Sequence, residues 1–235
     1  MKKLFFTLFC FLLISINLNA ISIYEKYPKN SKINTYLLKK FINNKNCDKI
    51  LTNDNLFTNC YNYDLKSTIF SHTEIKGDLV SKGNIKKRGY FKSDKKLPKR
   101  YQTNYKDYTH TGFNRGHLIT GNDASFDYSK KTRDMTYLMS NIVPMYPKTN
   151  QKSYLKVENY SRKLAIKFGS LEIINENIFT NKPKRLGRSK LAIPTQFNVI
   201  LFNEKNKFQE CFSIPNDNII YPLKKLRVHC KKIFR

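Results

Sequence analysis

Acidic residues are scarce: 17 Asp and Glu stand against 44 Lys and Arg, a formal charge of +27 over 235 residues. A deficit of that size leaves a polyanion as the obvious partner. Histidine is scarcer still, with only His72, His110, His117 and His229 in the chain. No Cys-x-x-Cys spacing occurs, which argues against a zinc framework. No internal repeat is visible, so a solenoid or other repeat architecture is not indicated. The apolar run at the start of the chain is short for a membrane span and is followed by polar sequence.

That run has a different use. "MKKLFFTLFCFLLISINLNA" (1–20) has the positive start, uncharged stretch and terminal small residue of a secretory signal peptide. A retained anchor is the alternative. Its removal takes Cys10 and two lysines, and leaves Cys47, Cys60, Cys211 and Cys230. An even cysteine number in an exported chain reads as two disulfides. Three pairings exist; the close pairs, Cys47–Cys60 and Cys211–Cys230, are expected. No membrane partner is expected for the mature chain, which would be periplasmic or secreted.

Lysine-rich composition can arise from genome bias, and clustering is the sign that it has not. Residues 85–100, "IKKRGYFKSDKKLPKR", hold eight basic residues and one acid, with Tyr90 and Phe91 among them. Residues 181–190, "NKPKRLGRSK", add five more. Solvated loops are one reading and a phosphate-binding surface is the other. On the second reading, Lys95, Lys96 and Lys99 would track a nucleic-acid backbone.

Residues 21–62 are polar and weakly periodic, and read as an N-terminal extension before a domain over 63–235. Leu65, Ile69 and Phe70 are candidate core residues of early strands. Residues 126–146 read as a helix or loop entering an apolar stretch. A helix is expected over 149–169, where Tyr154, Val157, Leu164 and Phe168 share one face and Gly169 provides a stop. "LEIINENIF" (171–179), "QFNVILFN" (196–203) and "FQECFSI" (208–214) have the β-branched and aromatic composition of strands. Strands, a helical middle and strands again suggest an α+β fold.

The chemistry concentrates in "GFNRGHLITGNDAS" (112–125). A neutral imidazole at His117 can accept a proton near pH 7. Arg115 has the planar fork for a phosphate. Gly116 would allow a sharp turn or a close approach. Further along, Asn150 and Glu158 are oxygen donors on the expected helix, separated by ~12 Å of rise. Helical side chains lean toward the N-terminus, so Glu158 reaches back toward Asn150. One amide ligand and one carboxylate acting through water would suit Mg²⁺, which keeps most of its own waters. A simple helix cap at Asn150 and a surface Glu158 are the plainer alternative.

"FNRGHL" (113–118), "LMSNIVPMYPKTNQKSYLKVE" (138–158) and "LAIPTQFNVILF" (191–202) resemble, in order and spacing, the signature blocks of the DNA/RNA non-specific endonucleases, which carry a ββα-metal (His-Me finger) site. The resemblance implies a central, mostly antiparallel sheet flanked by helices. A strand pair near 100–120 and the 149–169 helix would bracket the metal. It implies hydrolysis of DNA and RNA with little sequence preference, leaving 5′-phosphates, with Mg²⁺ (or Mn²⁺) as cofactor. On this likeness His117 is the general base, Arg115 and Asn141 lie in the active site, Asn150 ligates the metal and Glu158 holds a metal-bound water. An upstream phosphate-binding arginine falls on Arg88, with Arg100 as competitor. Three positions depart from the pattern. Asn114 replaces an Asp and loses its charge, Met145 replaces a Gln, and Tyr154 replaces a Trp. A secreted nucleic-acid-binding protein with weak catalysis, and a narrower metal-dependent phosphodiesterase, are the alternative functions.

Overall fold

A computed structural model describes residues 47–53, 56–80, 88–121 and 130–234, all within a compact unit over Lys45–Arg235. The expected signal peptide, and the part of the extension before Cys47, lie outside the described residues. Seven strands form one sheet in the order β1 (Lys49–Asn53), β2 (Phe57–Asn62), β3 (Ser67–Lys76), β6 (Ser170–Ile178), β9 (Gln196–Asn203), β10 (Phe208–Pro215), β11 (Arg227–Val228). Every pairing in it is antiparallel. The α+β expectation holds, and the three strands expected late in the chain are β6, β9 and β10. Two corrections concern the early strands. The described part of the supposed extension, from Cys47, supplies β1 and β2 to this sheet. Its buried Asn53, Thr58 and Asn59 hide the hydrophobic alternation that would have announced them. Of the three early core candidates only Phe70 is buried; Leu65 and Ile69 are half-buried. Ile69 falls where the β2–β3 register slips between Cys60 and Tyr61, a bulge that takes it out of the ladder.

Both expected disulfides are formed, Cys47–Cys60 and Cys211–Cys230. They sit at opposite edges of the sheet. The first ties the lead-in of β1 to β2, and the second ties β10 to the turn after β11.

Four α-helical segments are described: α1 (Gly77–Val80), α2 (Lys130–Thr136), α3 (Leu155–Phe168) and α4 (Leu223–Leu226). Among the described residues no helix is long and apolar enough to cross a membrane. The long one, α3, is entered through a π-helical turn, Thr149–Tyr154, and stops before Gly169, whose φ is +85°. Its Val157, Leu164 and Ala165 pack on Leu171 and Ile173 of β6, Phe197, Val199 and Leu201 of β9, and Phe212 and Ile214 of β10. This apolar layer stabilises by roughly 25 cal/mol for each Å² removed from water. A separate two-stranded unit, β4 (Asn114–His117) with β5 (Ile142–Met145), lies on the same core through Leu118, Val143 and Met145. A second short pair, β7 (Arg185–Leu186) with β8 (Leu191–Ala192), closes the basic 181–190 stretch into a hairpin. The strand pair expected near 100–120 is thus half right. β4 lies there, but its partner comes from the 138–146 stretch.

Candidate active site

His117 ends β4, opposite Ile142 of β5. The strand is aligned by its register, and Gly116 makes that register possible. A Cβ at Gly116 would stand 2.4 Å from Cγ and Sδ of Met145. The glycine therefore serves strand packing, not the sharp turn expected of it. The space that a side chain would need belongs to Met145.

The His117 ring lies against two aromatic rings, Phe91 at 5.6 Å and Tyr137 edge-on at 4.7 Å. Among the described residues its buried Nε2 has no hydrogen-bond partner. Burial, and secondarily the Arg88 charge, push its pKa down to about 4. The imidazole is therefore neutral across the physiological range, the state a proton acceptor requires. A buried polar atom without a protein partner is uncommon and needs a reason, such as a water or substrate group that completes it.

Arg88 reaches this neighbourhood through a docking of distant backbone. The Lys92 N–H donates to the Tyr137 carbonyl at 3.1 Å, and the Met139 N–H donates to the Lys92 carbonyl at 2.8 Å. Gly89 fits flush against the Tyr137 ring, where a Cβ would come within 2.6 Å. Arg100 is placed otherwise. Its guanidinium lies 4.7 Å over the Tyr101 ring, which stacks on Tyr63 at 3.9 Å. Geometry separates the two arginines: the charge of Arg88 acts on His117, and that of Arg100 acts on Tyr63.

Arg115 is not an outstretched phosphate fork. Its Nε and Nη2 donate to the Tyr105 carbonyl at 3.2 and 3.0 Å, and Phe91, Tyr105 and Tyr108 surround the guanidinium at 5.4–5.8 Å. Two of its donors thus hold the loop over β4. Asn141 lies beside the chain that leaves His117. Fully buried, its Oδ1 accepts the Ile119 N–H at 3.1 Å, and its Nδ2 donates to the Ile119 and Thr136 carbonyls at 2.7 and 2.8 Å. Both of its N–H donors are therefore used by backbone carbonyls. It positions the chain leaving His117.

The helix side approaches through residues that sequence reading missed. Asn175 of β6 donates to the Leu118 carbonyl at 3.0 Å and accepts the Tyr154 hydroxyl at 2.9 Å. It links the exit of β4 to the entry of α3. The signal was present as "NEN" inside an apolar strand, where Asn175, Glu176 and Asn177 are all buried. Tyr154 thus uses its hydroxyl, a group that the Trp implied by the resemblance would lack. Glu158 lines a small cavity with Leu118, Ile119, Ser161 and Asn175, next to the residues that follow His117.

Asn150 lies in the π-helical turn, a conformation frequent at functional sites. The turn is pinned by Asn150 N–H to Tyr146 O at 2.9 Å and by Thr149 Oγ1 to the Asp217 carbonyl at 2.5 Å. Asn216 fastens the preceding strand end, accepting the Tyr146 N–H at 3.0 Å and donating to Pro144 O at 2.9 Å. Among the described residues nothing bonds the Asn150 side-chain amide, and it does not cap the helix. Among them, too, no group of three or more His, Cys, Asp or Glu side chains could hold a metal. The Asn150 amide oxygen and the Glu158 carboxylate are hard oxygen donors of the kind Mg²⁺ takes beside its own waters.

The basic clusters are partly structural. Lys96 Nζ donates to Thr52 O at 2.7 Å and to Asn53 Oδ1 at 3.1 Å, and Arg185 is paired with Asp64 at 2.9 Å. Lys95 and Lys99 remain exposed.

Comparison with known proteins bears on the family and the fold. A family model described as DNA/RNA non-specific endonuclease matches residues 34–235. Human mitochondrial endonuclease G is 23% identical over 155 residues, covering 62% of this chain and 52% of its own. The mitochondrial nuclease of Saccharomyces cerevisiae is 25% identical over 191 residues, covering 72% of this chain and 57% of its own. The chain thus spans about half the length of these curated relatives. Among solved structures, the complex of EndoG with EndoGI matches with a TM-score of 0.72 at 18% identity, over 88% of this chain and 89% of that one, which shows a shared fold.

Proposed function

The chain belongs to the DNA/RNA non-specific endonuclease family, and on that premise we propose that it hydrolyses phosphodiester bonds in DNA and RNA with Mg²⁺, leaving 5′-phosphates. The observation that carries this reading is the setting of His117, whose ring lies between Phe91 and Tyr137 with its buried Nε2 unpartnered among the described residues, an environment that lowers its pKa and favours the neutral ring. In the reaction the imidazole takes the proton of the attacking water. Arg88 offers its charge to the phosphate beside that water. Asn141 and Asn175 hold the Leu118–Ile119 backbone, so the ring keeps its aim while the proton moves. Phe91 and Tyr137 wall the ring, and the loss of solvent beside it disfavours the charged imidazolium. Asn150 and Glu158 would hold the Mg²⁺, whose chemistry is to stabilise charge on the phosphoryl group and the leaving oxygen. Contacts of this kind go to phosphate and carry no sequence information, so little base preference is expected.

The two disulfides suit an oxidising compartment, and the N-terminal run suits export to the periplasm or beyond the cell. Incubating the oxidised chain with plasmid DNA and with RNA, in Mg²⁺ and then in EDTA, tests the reading. Metal-dependent cleavage of both is expected. Binding without cleavage would make the chain a nucleic-acid-binding protein instead.

A further inference from the structure

The segment 88–92 is used only in part by the reading above. Its burial alternates: Arg88, Tyr90 and Lys92 are exposed, while Gly89 and Phe91 are half-buried. Tyr90 is 71% exposed, the highest value among the exposed large apolar side chains described. An exposed aromatic ring on a floppy loop would mean little. This one is mounted firmly. Gly89 before it sits flush on the Tyr137 ring, and Phe91 after it packs on Tyr137 at 5.0 Å and on His117 at 5.6 Å. The Lys92 backbone bonds in both directions to Tyr137 and Met139. Tyr105, also exposed, is less available, because its carbonyl and ring are engaged with Arg115.

We propose that Arg88, Tyr90 and Lys92 form a binding ladder for a short unpaired stretch of about two nucleotide steps beside His117, with phosphates at Arg88 and Lys92 and a base between them stacked on the Tyr90 ring. Alternate side chains of an extended chain stand ~7 Å apart, the scale of one nucleotide step in an extended strand. Cation, ring, cation is the pattern by which single strands are held without sequence readout. Bases inside a duplex are already stacked and paired, so the ring can serve only a single strand, a loop or a frayed end. The ladder deepens the nuclease reading and rests on it. It assigns to the site a preference for unpaired nucleic acid, set by Tyr90.

The chain contains no tryptophan, so Tyr90→Trp places a lone fluorescent indole at the proposed stacking position. The full chain carrying Tyr90→Trp and His117→Ala would be titrated, in Mg²⁺, with a single-stranded oligonucleotide and with a blunt, loop-free duplex of equal length closed by G·C pairs at both ends. Saturable quenching by the single strand and little by the duplex is expected. In the His117→Ala background, Tyr90→Ala should weaken single-strand binding roughly five- to hundredfold, the usual worth of one base–aromatic stack, and change duplex binding less than about twofold. Tyr90→Trp should bind single strands at least as tightly as the tyrosine. Equal quenching by both ligands, or equal losses on both, would overturn the ladder while leaving the nuclease reading in place. A parent chain that neither binds nor cleaves nucleic acid would overturn that reading, and the ladder with it.

Discussion

On one side of the site, His117 stands at the end of a short strand, walled by Phe91 and Tyr137, with the backbone beyond it held by the amides of Asn141 and Asn175. On the helix proposed to face it, Asn150 stands in a π-helical turn, half-exposed, its amide bonded by nothing among the described residues. On the roles proposed for them, the contrast follows from what each group must do. A proton acceptor must stay neutral and keep its direction, and burial among rings achieves both. A ligand for a hydrated cation must be reachable and keep an oxygen unused. The histidine side is therefore built of packing and satisfied hydrogen bonds, and the helix side of an exposed polar edge.

Removing the imidazole should give the largest effect. His117→Ala should lower kcat by at least ~10²–10⁴-fold, the usual worth of general base catalysis, while the fold and DNA binding persist. The same side sets the pH response. Because the folded pKa is depressed to about 4, the ring stays neutral as pH falls past the ordinary histidine value of 6.5. The acid limb of kcat/KM assigned to this group should therefore appear near pH 4. Arg88→Gln should move it upward by lifting the smaller of the two causes, leaving burial in force. A limb near 6.5 in the parent would mean the ring is far wetter than described.

Asn141→Ala should come next, and should be felt as stability more than as chemistry. It leaves the Ile119 N–H and the Ile119 and Thr136 carbonyls without partners, and each buried orphan costs ~1–3 kcal/mol. Urea unfolding should show a loss of at least ~2 kcal/mol, with the acid limb unmoved. An unchanged midpoint would break the claim that this amide braces the histidine strand.

The smallest effect should come from the lysines outside both sides. Lys95→Gln with Lys99→Gln should flatten the log–log salt dependence of duplex binding by at most ~0.9 for each phosphate left without its lysine. Lys96 belongs to a different class, since its ammonium braces β1. A salt slope changed by Lys96→Gln alone, with stability intact, would contradict that assignment.

How legible the two sides were in the sequence also differs. The helix, strands β6, β9 and β10, both disulfides and the Arg115-Gly116-His117 run could be read from period, composition and spacing. β1 and β2 could not, because their inward positions include Asn and Thr whose burial depends on partners elsewhere in the chain. Nor could the neighbours of His117. Gly89 meeting Tyr137, Gly116 meeting Met145 and Asn175 meeting Leu118 are contacts between distant segments, and local periodicity does not encode them. Arg115 shows the same limit. Its type suggested a phosphate fork, and only the nearby Tyr105 carbonyl explains where its donors go.

Cleavage rate against Mg²⁺ concentration, for the parent, His117→Ala and Asn150→Ala, tests the division of labour most directly. The account predicts that Asn150→Ala needs more Mg²⁺ and recovers part of its rate as the ion is raised, whereas His117→Ala binds Mg²⁺ as the parent does and stays slow at every concentration. Rescue of His117→Ala by Mg²⁺, or loss of its metal binding, would make the histidine a ligand and contradict the account.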